Sequence, residues 1–164
     1  MTQVCSRKPS LDDAYARIRR AKQHLARFKR ELAAFWGDEG RRLWIPNATT
    51  GIFEEQATPD LVPPTFGILV GECIYNLRAA LDYLIYELAI LDSGKIQERT
   101  QFPIEDTVKR WKTKCASRLK GLSVVHQACI ERLQPCFGCK WTAKLRNISN
   151  PDKHRSLVIV KWDR

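Results

Sequence analysis

Residues 11–37 read LDDAYARIRRAKQHLARFKRELAAFWG, and their spacing decides the fold. Leu11, Ala14, Ile18, Ala21, Leu25, Phe28, Leu32 and Phe35 recur at alternating steps of three and four. A period near 3.6 lays all eight on one face of a long helix. Ser10 with Asp13 three residues on is a capping-box-like start, and Asp12 and Asp13 suit the positive end of the helix dipole. Gly37 marks the end. The rest of the surface is basic: Arg17, Arg19, Arg20, Lys22, Arg27, Lys29 and Arg30. Such a run on a helix is ordinarily a solvated face. It is also the electrostatic footprint that a row of phosphates requires.

Beyond this helix the composition changes. Arg42-Leu43-Trp44-Ile45 and Ile52-Phe53-Glu54 are short strand-like runs, and Asn47 to Gly51 reads as the turn between them. Residues 38–64 are therefore expected to form a small β hairpin insertion, closed by an irregular stretch with Pro59, Pro63 and Pro64. A second long helix is predicted from Thr65 to Ser93, with Gly94 as its cap. Its core stripe reads Ile74, Leu77, Leu81, Leu84, Leu88 and Leu91, and Gly67 and Gly71 would let a second backbone come close. Shorter helices should follow. One is capped by Asp106 and carries Val108, Trp111 and Cys115. One is capped by Ser123 and ends before Pro135. One carries Trp141, Leu145 and Ile148. Asn150-Pro151 reads as the cap and first residue of a separate single turn. Leu157-Val158-Ile159-Val160 reads as a short terminal strand. The expected fold is all-α, a single helical-bundle domain over 1–164 built on two long antiparallel helices, with the hairpin inserted.

The bulk properties narrow the partners. The chain has 164 residues, enough for one domain, and its 44% apolar content suits a buried core. The net charge of +10 favours polyanions. Met1 to Ser10 has no apolar run behind its basic residues, and the apolar region Phe66 to Leu91 is broken by Glu72, Asn76, Arg78, Asp82 and Glu87. Neither a signal peptide nor a membrane span is expected, which points to the cytoplasm and away from a membrane partner. Six cysteines are then expected as free thiols, with Cys73 and Cys129 on apolar faces. Cys136-Phe137-Gly138-Cys139 is a CxxC without a second ligand pair, so neither a metal nor another cofactor is expected.

Two polar sets carry chemistry. On the second helix Tyr75, Arg78 and Asp82 follow at steps of three and four, with Glu72, Asn76 and Tyr83 in a neighbouring row. Arg78 and Asp82 can pair across one turn. That pair either fixes helix packing or opens a pocket in which the Arg78 fork holds a phosphate. The second set is Lys153, His154 and Arg155, three basic or titratable side chains at one turn, where free backbone N–H groups already favour anions. His154 is the histidine best placed for acid–base work. His24 and His126 read as surface residues.

The stretch Gly71-Glu72-Cys73-Ile74-Tyr75-Asn76-Leu77-Arg78-Ala79-Ala80-Leu81-Asp82-Tyr83-Leu84 resembles the signature helix of a family of uncharacterised bacterial helical proteins. Thr100-Gln101-Phe102-Pro103-Ile104, Leu119-Lys120-Gly121-Leu122 and Asp152-Lys153-His154-Arg155 resemble later segments of that family in the same order, so the likeness spans roughly residues 10–160. More distantly the signature is similar to the HEPN superfamily, whose members include dimeric, metal-independent ribonucleases of toxin and defence systems. There an Arg is followed about five positions later by His. Here Arg78 is followed by Tyr83, and tyrosine also stands at the other histidine position, Tyr75. Tyrosine titrates near pH ~10 and is a weak proton shuttle at neutral pH, though it donates hydrogen bonds.

The expectation is a HEPN-like homodimer that binds RNA or another polyanion without strong catalysis. Arg78, Asp82, Tyr83, Lys153, His154 and Arg155 would line the pocket, with Glu72, Tyr75 and Asn76 beside it. The alternatives are a ribonuclease with Arg78 and His154 at the phosphate, and a protein-binding module from a mobile element.

Overall fold

The computed structural model describes the backbone of residues 8–37, 43–46, 53–56 and 62–154, and side chains over 8–35, 37 and 62–149. Helix α1 spans Asp12–Gly37 and α2 spans Pro64–Ser93. At 1.5 Å per residue, 26 and 30 residues make rods of about 39 and 45 Å. The Ser10 hydroxyl accepts from the Asp12 amide (3.1 Å) and donates to the Asp12 carboxylate (2.7 Å). The expected Ser10–Asp13 pairing is replaced by this tighter turn. α2 opens with Pro64 in its first turn and stops at Gly94, whose φ of 65° lets its N–H reach back to the Ile90 carbonyl at 2.8 Å.

The two helices run antiparallel. The Ser10 amide, before α1, donates to Glu87 near the end of α2 (2.9 Å), while Phe28 and Phe35, late in α1, meet Phe66 at the start of α2 edge-to-face at 5.5 and 5.6 Å. Ala14, Ala21 and Phe35 of α1 are buried; Leu11 and Leu25, also on the expected stripe, are exposed.

α2 departs from its expected stripe. Leu91 is exposed, and Ile74, Leu77, Leu81, Leu84 and Leu88 are half-buried. The buried residues are Phe66, Leu69, Gly71, Asn76, Arg78, Ala80, Ile85, Glu87, Ala89 and Ile90. The reason is that α2 is covered from two sides. One side takes α1 through Phe66, Asn76, Tyr83 and Glu87. The other packs Ile85 and Ala89 into a cluster with Phe102, Ile104, Trp111, Leu119, Leu122 and Ile130. Burial follows these two lines, and the most leucine-rich line falls on their flank.

The second layer is made of α3 (Val108–Arg118), α4 (Val124–Arg132), a single 3-10 turn (Pro135–Phe137) and α5 (Lys140–His154). Thr107 caps α3, accepting from the Arg110 amide, in place of the expected Asp106, which pairs with Arg146 at 2.7 Å. Ser123 caps α4 as its sequence predicts. Fully buried Gln134 ties the segment before α3 to α4: its carbonyl accepts from the Glu105 amide and its amide donates to the Ile130 carbonyl, both at 3.1 Å. The separate turn expected at Asn150-Pro151 is absent, because α5 continues through both to His154. Pro151 sits in the last turn, where the missing N–H removes one bond without ending the rod.

Residues Leu43–Pro46 (β1) and Phe53–Gln56 (β2) pair antiparallel, with Leu43 opposite Gln56 and Pro46 opposite Phe53. The turn expected at 47–51 and the strand expected at 157–160 lie outside the described residues. Among the described residues, no helix is long and apolar enough to cross a membrane.

Candidate functional site

An open cleft of about 200 Å³ lies where α1 meets α2, lined by Arg17, Tyr75, Arg78, Ala79, Asp82 and Tyr83. The α2 members come from successive turns of one flank: Tyr75, Ala79 and Asp82, then Arg78 and Tyr83. Arg17 comes from α1, facing them between the buried alanines Ala14 and Ala21. Those two small side chains let α2 approach and leave the guanidinium room to lie across it.

The two arginines of the cleft are held in different ways. Arg78 is buried. Its Nη2 donates to the Phe102 carbonyl and lies 3.2 Å from the Asp82 carboxylate, which in turn accepts from the Phe102 amide at 2.9 Å. Arg and Asp thus grip both backbone groups of Phe102, a residue with no exposed surface. Burial lowers the Arg78 pKa; Asp82 opposes this, and the like charge of Arg118 adds to it.

Arg17 is half-buried and held by neutral groups. Nη1 donates to the Asn76 side-chain carbonyl (3.2 Å) and Nη2 to the Tyr83 hydroxyl (3.3 Å). The guanidinium carbon stands 5.5 Å from the Tyr83 ring centroid and 5.9 Å from that of Tyr75, within cation–π range. The Tyr83 hydrogen bond raises the Arg17 pKa, against a smaller opposing effect of burial. Asn76 is itself fixed, because its amide donates to the Glu72 carbonyl at 2.8 Å.

Of the residues singled out from the sequence, Tyr75, Arg78, Asp82 and Tyr83 come together in this cleft. Asn76 lies buried behind it and positions Arg17, and the Glu72 side chain is exposed on α2. Lys153 and His154 belong to the last turn of α5; their side chains, and all of Arg155, lie outside the described residues. Arg17 is the residue that reading the sequence for a site passed over. It was counted with the basic face of α1, yet it falls midway between Ala14 and Ala21 of the apolar stripe, and that spacing is the signal that separates it from its neighbours.

A second polar group joins α2 to α4. The Asp92 carboxylate lies 2.7 Å from His126 Nδ1 and accepts from the Ser123 amide at 2.7 Å. Burial pushes the Asp92 carboxyl up, but the bonds from the Ser123 amide, the His126 ring and the Ser123 hydroxyl outweigh it and hold the group below its ordinary range. His126 is thus no simple surface residue; it is half-buried, as is His24. Cys129, expected on an apolar face, is exposed. Among the described residues, no three of His, Cys, Asp and Glu gather at metal-binding range.

Comparison with protein-family models, with curated proteins and with solved structures gives no match to this chain.

Proposed function

We propose that this chain is a helical polyanion-binding module whose ligand is RNA and which works without strong catalysis. The observation that carries the reading is the Arg17 guanidinium, held over two tyrosine rings in a cleft beside the basic side of α1. Arg19, Arg20, Lys22, Arg27, Lys29 and Arg30 are all exposed there. Cations along a helix supply the salt-dependent part of nucleic-acid affinity, and aromatic rings beside an arginine suit single-stranded RNA. The net charge of +10 supports the same class of ligand. So does the resemblance of residues 71–84 to the HEPN signature.

The arrangement favours binding over cleavage. A ribonuclease of HEPN type needs Arg78 at the scissile phosphate, whereas this guanidinium is turned to the Phe102 carbonyl and to Asp82. A cytoplasmic homodimer through α2 belongs to the same proposal. Ile68 and Tyr75, seven residues apart and both about half exposed, give α2 an uncovered edge for it.

The test is fluorescence anisotropy with labelled single-stranded RNA in EDTA, read against salt, with the RNA run on a gel afterwards and the mass of the protein read by light scattering. The expected result is intact RNA and an affinity whose logarithm falls linearly with the logarithm of salt concentration. Cleavage that is lost in Arg78→Ala would make the protein a ribonuclease. Absence of binding even at about 50 mM salt would remove nucleic acid from the account and leave a protein partner.

A further inference from the structure

The two groups that hold Arg17 in the cleft leave it chemically unfinished. Neither is a carboxylate. Asn76 and Tyr83 take one N–H each from its two terminal nitrogens. Asp13, one turn earlier on α1, acts on it only through space. A guanidinium offers five donors in a rigid fork. Two are used to fix its plane across the rings of Tyr75 and Tyr83, and the remaining three have no acceptor among the described residues. The Tyr83 hydroxyl accepts from Arg17, so its own hydrogen is left to give, and it too has no acceptor among the described residues.

This is a pre-oriented set of donors around the Arg17 charge in a concave site whose other two charges, Arg78 and Asp82, pair with each other. An anion entering it would not have to organise the side chains first, which is how preorganisation adds affinity. The fork geometry suits the paired oxygens of a phosphoryl group. The tyrosine rings beside it offer aromatic surface to a nucleobase.

We infer that Arg17 and the Tyr83 hydroxyl form a binding site for one phosphoryl group of a nucleotide, with Asn76 as the positioning residue. The ligand class rests on the polyanion reading above; the site does not. A phosphoryl group reaches it either as a mononucleotide or as one link of an RNA strand. Arg78 takes no direct part, because its fork is turned to Phe102 and Asp82. Arg17 is the phosphate ligand, although it lies outside the signature helix.

The test is isothermal titration calorimetry of the whole chain with adenosine 5′-monophosphate, with adenosine and with inorganic phosphate, beside the RNA titration. The variants are Arg17→Gln, Arg17→Lys and Tyr83→Phe. Lys109→Gln, an exposed cation on α3, is the control. Circular dichroism establishes that each is folded. The monophosphate should bind and adenosine should not. Arg17→Gln and Tyr83→Phe should each weaken the monophosphate by about tenfold, and Arg17→Lys should recover only part, since an ammonium lacks the fork. In RNA binding, Arg17→Gln should lower the salt slope by about one contact.

A monophosphate that binds no better than adenosine, or binds equally to the wild type, Arg17→Gln and Tyr83→Phe, overturns the site. RNA binding that survives both variants with an unchanged salt slope keeps the polyanion reading and overturns the site for RNA. Monophosphate binding lost in both variants, without RNA binding, supports the site and overturns the RNA reading.

Discussion

Arg78 and Arg17 line the same cleft, and everything that surrounds them differs. Arg78 is buried, faces a carboxylate and holds a backbone carbonyl in the core. Arg17 is half exposed, faces neutral oxygens and lies over aromatic rings. A buried cation must have its charge and donors answered from within the protein, and once answered it is part of the architecture. A partly exposed cation oriented by neutral groups keeps most of its charge for something else. The difference teaches that an arginine is read by its partners, and that the more buried of two arginines in a cleft is the poorer candidate for a ligand.

The largest effect expected on this contrast is at Phe102, the residue that Arg78 and Asp82 grip. Its ring is fully buried in the core cluster. Phe102→Ala should destabilise the fold by about 4 kcal/mol, measured by urea unfolding. A loss under about 1 kcal/mol would show that the segment is loosely held and that the grip does not organise the second layer.

Arg78→Ala comes next. It leaves the Phe102 carbonyl without its donor and removes the Arg78–Asp82 ion pair, so about 3 kcal/mol should be lost. If the loss is small and RNA affinity falls steeply instead, the contrast between the two arginines is reversed and Arg78 is the ligand.

How far these roles could be read in advance depended on whether the cause was local. The ends of α1 and α2 were legible because caps are local: Ser10 bonds two residues on, Gly94 takes the left-handed turn, and Ser123 does the same service for α4. The buried lines of α2 were not. Which leucines are covered depends on two partners arriving from opposite sides, one of them the segment at Phe102, and no periodicity within α2 contains that information. Asp106 is drawn away from capping by Arg146, forty residues later. The cleft itself was half legible. Tyr75, Arg78, Asp82 and Tyr83 share a helix, so their spacing brought them together, whereas Arg17 enters from another helix and looked like its charged neighbours.

The Asp92–His126 pair tests the contrast away from the cleft, since it too is answered from within. The Asp92 pKa is depressed in the folded state. Its unfolded value is near 3.9, so its contribution is present above about pH 4 and is lost as pH falls through the folded value. The urea midpoint of the wild type should therefore fall more steeply below pH 4 than that of Asp92→Asn, with the variant about 1.5 kcal/mol less stable at neutral pH. Parallel curves would mean that the carboxylate gains nothing from the Ser123 amide and the His126 ring.

The smallest expected effect is the most telling. Arg17→Ala removes two hydrogen bonds to neutral groups and a cation–π contact at a half-exposed position, and what it leaves behind can be hydrated. Tyr83 lines the open cleft, and with the Arg17 side chain gone water can reach the Asn76 carbonyl buried behind it, so neither becomes a lasting orphan of the kind that Arg78→Ala creates. Cation–π contacts at exposed sites contribute about 0.5–1 kcal/mol, and that is the whole expected loss of stability. Measured beside Arg78→Ala in the same urea series, it should separate the two arginines by about 2 kcal/mol. A loss as large as that of Arg78→Ala would place Arg17 in the architecture as well. Its fixed orientation over Tyr75 and Tyr83 would then serve helix packing, because a residue the fold needs that much has little charge left to offer a phosphate.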